Sequence, residues 1–228
     1  MHTGTQHPPT LAALLGLGLL VSIGSAQAAL LTAPPASGTL VINFDAESGS
    51  NIATAVQIGD VIGHHITVAS SEPGNGLYFH FSGWGLADNG SWENRTYVGL
   101  NSHVDIMTFA FNDAPVSTVG GQMNYARGCC GEVPLVITAL DASMTILETY
   151  NLSELADIIT PNAINGSEFR GIARDHADIA FFQISGGEAN AIDDLTLQYA
   201  ASPVPVPASL TLACGGIALL AARARRRV

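Results

Sequence analysis

Three sets of residues carry the chemistry open to this chain. Cys129 and Cys130 are adjacent, with Gly128 and Gly131 on either side. In an oxidising compartment such thiols do not stay free. They close on each other as a vicinal disulfide, or they link two chains. A vicinal ring needs a distorted turn, and the flanking glycines supply the backbone freedom for it. The expected result is a stiffened loop beside the strand that starts at Pro134; the competing, functional reading is that its flat apolar face contacts a ligand such as a sugar ring. Cys214 lies apart, in an apolar run near the C-terminus. Thiol redox catalysis has little support, because there is no Cys-x-x-Cys and Arg127 is the only adjacent cation.

The second set is acidic. Asp45 and Glu47 end the first predicted strand, and Asp193 and Asp194 begin the last. If those strands are neighbours, hard oxygen ligands converge in a way that suits Ca²⁺. A cation would also relieve the carboxylates' mutual repulsion. The competing reading is four solvated strand-end carboxylates, since no Asp-x-Asp-x-Asp-Gly loop is present. The third set is aromatic. Trp84, Trp92 and Tyr97 stand among Gly, Asn, Asp88, Glu93 and Arg95. Lectin-like sites stack such rings on sugar C–H faces and use nearby polar groups for the hydroxyls. The competing reading packs both tryptophans into a core.

Histidine offers less. His64 and His65 are adjacent, so on a strand they point to opposite faces, and His80 and His103 stand alone. There is no Gly-x-Ser-x-Gly, His-Glu-x-x-His, phosphate loop or dinucleotide fingerprint. The chain therefore reads as non-catalytic. An envelope carbohydrate or ester hydrolase stands as the alternative, although paired carboxylates in so acidic a chain single out no glycosidase.

The elements that must position these residues are strands. Leu40, Ile42 and Phe44 alternate with more polar neighbours, as do Leu77, Phe79 and Phe81. The same period of two recurs at Met107, Phe109 and Phe111, at Leu135, Ile137 and Ala139, and at Leu195, Leu197 and Tyr199. Asp178 to Ser185 is apolar on both phases, as a covered strand should be. Clusters of Gly, Asn, Asp and Pro separate these runs. One helix is expected over Leu152 to Ile159, with Pro161 ending it. The pattern predicts an all-β fold, an antiparallel β-sandwich of jelly-roll type with one short helix, in residues 39–199.

Charge narrows the partners. The 228 residues hold 8 Lys+Arg and 19 Asp+Glu, with no lysine at all. Four of the arginines lie in the last residues, whereas every acidic residue lies between Asp45 and Asp194. The body thus carries four basic groups against 19 acidic ones, a net of about −15. Such a surface repels nucleic acid and anionic lipid.

The two ends read as addresses. Leu11 to Ile23 is apolar, and Ala26-Gln27-Ala28 is a small-x-small cleavage site, so residues 1–28 read as a signal-peptide helix and 29–38 as a linker. Against this, Met1 to Thr10 has no Lys or Arg. At the other end, Pro203, Pro205 and Pro207 hold the backbone extended. Ala208 to Ala222 is apolar, a transmembrane helix of 15 residues or roughly 22 Å against a hydrocarbon layer of about 30 Å. Arg223, Arg225, Arg226 and Arg227 follow and stay on the cytoplasmic side. So short an anchor suits a temporary hold.

Residues 200–228 together resemble the PEP-CTERM sorting signal in its VPxPA-type variant. Val204, Pro205, Val206, Pro207 and Ala208 match its core, and Gly215-Gly216 sits where its helix carries glycine. The resemblance implies an exosortase-type membrane protease as partner. It also implies transient anchoring in the inner membrane of a Gram-negative bacterium, then release to the cell surface or an exopolysaccharide matrix. The body is similar to the jelly-roll, carbohydrate-binding-like domains that accompany such tails, on the strength of Val41-Ile-Asn-Phe-Asp45 and Ala191-Ile-Asp-Asp-Leu-Thr-Leu197. The expected role is an exported surface or matrix protein that binds polysaccharide. A structural coat component without a small ligand is a further alternative.

Overall fold

The computed structural model describes residues 28–47, 56–58, 65–71, 77–80, 83–128 and 133–200. Cys129, Cys130, His64, Ala26 and the tail from Val204 to Arg227 lie outside the described residues. No helix among the described residues is long and apolar enough to cross a membrane.

Strands are numbered in chain order. In the larger sheet β1 (Ala29–Leu31), β13 (Glu168–Ala173), β10 (Val116–Ala126), β15 (Glu188–Tyr199), β8 (Tyr97–Leu100) and β5 (Leu77–His80) lie side by side. There β2 (Leu40–Ile42) also pairs with β15. The second sheet runs β12 (Ile146–Asn151), β11 (Val136–Leu140), β14 (Phe181–Ser185), β9 (Ile106–Phe111), β4 (Ile66–Ser70) and β3 (Val56–Ile58). A two-stranded ribbon joins β6 (Trp84–Gly85) to β7 (Ser91–Trp92). Every pairing within these sheets is antiparallel.

Alternation explains how the sheets close on each other. On β9, Met107, Phe109 and Phe111 are buried while Ile106, Thr108 and Ala110 are half-exposed. Val98, Leu100, Met123, Ile172, Ile192 and Leu197 of the larger sheet meet Ile66, Val68, Phe109, Ile137, Phe182 and Ile184 of the second in one core. Each such side chain contributes about 1.5–3 kcal/mol by leaving water. The fold is accordingly an all-β arrangement of two antiparallel sheets with one short helix.

Two boundaries differ from expectation. Residues 29–38 are not wholly a linker, because Ala29–Leu31 forms β1 against β13. The helix α1 is a single turn, Leu152–Leu155, rather than a run to Ile159. A longer helix would bond the Ala156 carbonyl to the Thr160 N–H. Instead Arg170 Nε donates to Ala156 O at 2.6 Å, and Thr160 N donates to Asn89 Oδ1 at 2.7 Å. Tertiary partners take the groups that would have continued the helix.

The pairing registers place the two body ends together. Ala29 pairs with Ala173, Ala173 with Thr118, and Thr118 with Gln198. The start of β1 and the finish of β15 therefore share one end of the larger sheet, about 14 Å apart at about 4.8 Å per strand. β10 runs from that end, where Val116 pairs with Tyr199, to the opposite end at Ala126. Its 11 residues span about 33 Å.

Candidate functional site

The aromatic loop is structural. The β6–β7 ribbon lies on the outer face of the larger sheet, where Trp84, Leu86, Trp92, Tyr97, Ala126, Ala189 and Ala191 form a second buried cluster. Trp92 and Tyr97 are 0% exposed and Trp84 is 9% exposed. Tyr97 is edge-on to both tryptophans, at 5.7 Å and 5.1 Å between centroids. Trp84 Nε1 donates to Ala189 O at 2.8 Å, and Trp92 Nε1 donates to Gly166 O at 2.7 Å. With indole faces packed and N–H groups bonded, these rings present no platform to a sugar. The glycan-contact expectation for Trp84, Trp92 and Tyr97 is thus corrected. Gly99 makes the packing possible, since a Cβ there would lie 2.9 Å from Trp84 Cζ2.

The acidic set is not assembled as a cation site either. The first and last body strands do adjoin, with Ile42 opposite Leu195. The Asp193 and Asp45 carboxylates nevertheless have separate partners. Asp193 is buried and ion-pairs with Arg95, whose guanidinium lies 5.0 Å from the centre of the Trp92 ring. Burial raises the Asp193 pKa, against the pull of Arg95. Asp45 accepts from Asn43 Nδ2 at 2.8 Å. Among the described residues no group of three or more His, Cys, Asp or Glu could hold a metal ion, and Asp45, Glu47, Asp193 and Asp194 are not gathered into one.

A different constellation lies at the far end of β10. Tyr125, Arg127, Ser153 and Asp157 line a cleft of about 280 Å³, with Ala126, Val133 and Pro134 as its apolar wall. The polar groups form one directed chain. Leu135 N donates to Ser153 Oγ at 3.0 Å. Ser153 and Tyr125 hydroxyls are 3.1 Å apart, and Tyr125 Oη donates to Asp157 Oδ1 at 2.7 Å. The single phenolic proton is directed at the carboxylate, so Ser153 is the donor toward Tyr125. Arg127 Nε donates to Asp157 Oδ2 at 2.8 Å. Successive bonds of this kind polarise one another.

Buried groups fix the far wall of this cleft. Arg170 is only 3% exposed, and its Nη2 donates to Asp157 O at 2.8 Å. Asn89 is 2% exposed, and its Nδ2 donates to Ile158 O, Tyr125 O and Asn124 Oδ1. Asn124 Nδ2 in turn donates to Thr160 Oγ1 and Gly166 O. The segment that carries Asp157 is therefore bolted to β10 and β13 by amide and guanidinium donors.

The hydrogen-bonding groups of this cleft are paired with one another. Among the described residues Ser153 bonds the Tyr125 phenol, whose own proton is directed at Asp157. Burial raises the Tyr125 pKa first of all, and the Asp157 carboxylate adds to the effect while the Ser153 hydrogen bond opposes it. Sequence reasoning passed over this group because its members come from two stretches of chain, 125–127 and 153–157, that only the fold brings together. The one available signal is that Arg127 is among only four basic residues of the body. No protein-family model matches the chain, and no curated protein matches it either.

Proposed function

We propose that this is an exported, non-catalytic protein of the bacterial cell surface or matrix, a jelly-roll-like body delivered by two removable ends and binding polysaccharide. One observation carries the reading. The body leaves the larger sheet at Ala29 and Tyr199 on the same end, so the segments 1–28 and 200–228 attach side by side. A body held by either segment then turns the same end toward the membrane. The opposite end, with its polar cleft, is directed outward.

Mass spectrometry of the native protein tests the delivery. The expected mature chain begins at Ala29 and ends within Val204–Ala208, released by a signal peptidase and an exosortase-type protease. A cytosolic protein that keeps both Met1 and Val228 overturns the reading.

A further inference from the structure

We infer that the cleft formed by Tyr125, Arg127, Ser153 and Asp157 binds a single ring of a neutral polysaccharide, a site that rests on the polysaccharide-binding role proposed above. Four features of the cleft lead there. The first is its donor and acceptor pattern. Arg127 uses Nε on Asp157 Oδ2 and so holds its guanidinium beside the carboxylate, with that side chain half-exposed. A guanidinium and a carboxylate fixed edge to edge offer adjacent donors and an acceptor. A pair of neighbouring sugar hydroxyls, each able to give one bond and take one, matches that arrangement. The Ser153 oxygen, whose proton goes to Tyr125, adds one acceptor position to the row, and Val133 and Pro134 supply a short apolar wall for the C–H face of the ring.

The second feature is size. At about 280 Å³ the cleft lies at the lower limit of small-molecule pockets, about 300 Å³. It admits one ring and leaves the rest of a chain outside, as a polymer ligand requires. The third is charge. The Arg127–Asp157 pair cancels within the cleft, while the surrounding body is acidic by about 15 charges. A polyanion gains nothing from the pair and is repelled by the body, so neutral glycans are favoured over acidic ones. The fourth is rigidity. Asp157 is anchored through its backbone by Arg170 and through the next carbonyl by Asn89, so little ordering is needed on binding. The larger cleft at the opposite end offers no such array, because its Arg174 is committed to Asp178 and Glu148.

The test is calorimetric titration of the full-length chain in mild detergent with cellohexaose, maltohexaose and mannohexaose as neutral probes, and hexagalacturonate as the acidic one. At least one neutral hexamer binds, and hexagalacturonate binds at least tenfold more weakly. Arg127→Gln and Asp157→Asn each weaken neutral binding about tenfold or more, the effect of losing one charged hydrogen bond. Arg127 is half-exposed, so Arg127→Gln keeps the fold and serves if Asp157→Asn does not. Trp92→Phe, in the buried cluster, leaves binding unchanged. Neutral binding that survives both cleft substitutions overturns the site and leaves polysaccharide binding standing. Tighter binding of hexagalacturonate overturns the neutral preference. Binding by none of the neutral hexamers overturns the site and the polysaccharide role together.

Discussion

At the scale of single residues, Trp92 illustrates how composition misleads. A tryptophan beside Glu93, Asn94 and Arg95 suits a sugar platform and a buried anchor equally well. What decides is the larger sheet's outer face, which Gly99 leaves open for Trp84 and on which Ala189 and Ala191 are small enough to admit the ribbon. That choice depends on which strands become neighbours, and spacing in the chain does not state it. Removing the ring should be costly. Trp92→Ala deletes a fully buried indole and removes one of the two donors to the Gly166 carbonyl, so we expect a loss of about 3–5 kcal/mol. Urea unfolding should show a lowered midpoint with an unchanged slope. A loss below about 1 kcal/mol would mean the ring is not packed as described.

At the scale of elements, strands with clean alternation were legible, and β9, β11 and the second half of β15 lie where the period of two puts them. The longest strand but one, β10, was not. Gly120 and Gly121 interrupt its pattern, and its register against β15 shifts three times, so its buried residues fall in no simple phase. The shortened helix was illegible for another reason. Its end is set by Arg170 and Asn89, which are remote in sequence from Ala156 and Thr160. The same guanidinium makes the 156–167 segment a cooperative part of the body rather than a loose crossover. Arg170→Met should cost about 3 kcal/mol, because it strips donors from the Ala156, Asp157 and Phe169 carbonyls. Hydrogen exchange should then accelerate in 156–167 more than in β9 and β14. Uniform acceleration would show that Arg170 supports the fold as a whole and not that segment.

At the scale of the molecule, acidity and buried phenols set a common limit at high pH. Four of the five tyrosines, Tyr97, Tyr125, Tyr150 and Tyr199, have pKa values raised from the usual 10, and burial is the largest cause for each. Asp157, Glu148 and Asp113 add to the effect at Tyr125, Tyr150 and Tyr199. Above pH 10 the unfolded chain releases phenolic protons that the native chain retains. The unfolded state then binds fewer protons, so stability falls as pH rises. Below pH 10 this contribution is fully present. Every phenolate formed also adds to a body that already carries about 15 negative charges, which steepens the loss. Arg127 and Arg174 stay charged through the transition, since Asp157 and Asp178 raise their pKa further. Phenolate absorbance and far-ultraviolet circular dichroism should therefore change together, at one midpoint above pH 10. Phenolate absorbance that climbs to completion while the dichroism stays native would mean that these rings reach solvent without unfolding, and that the two-sheet body is looser than its packing implies.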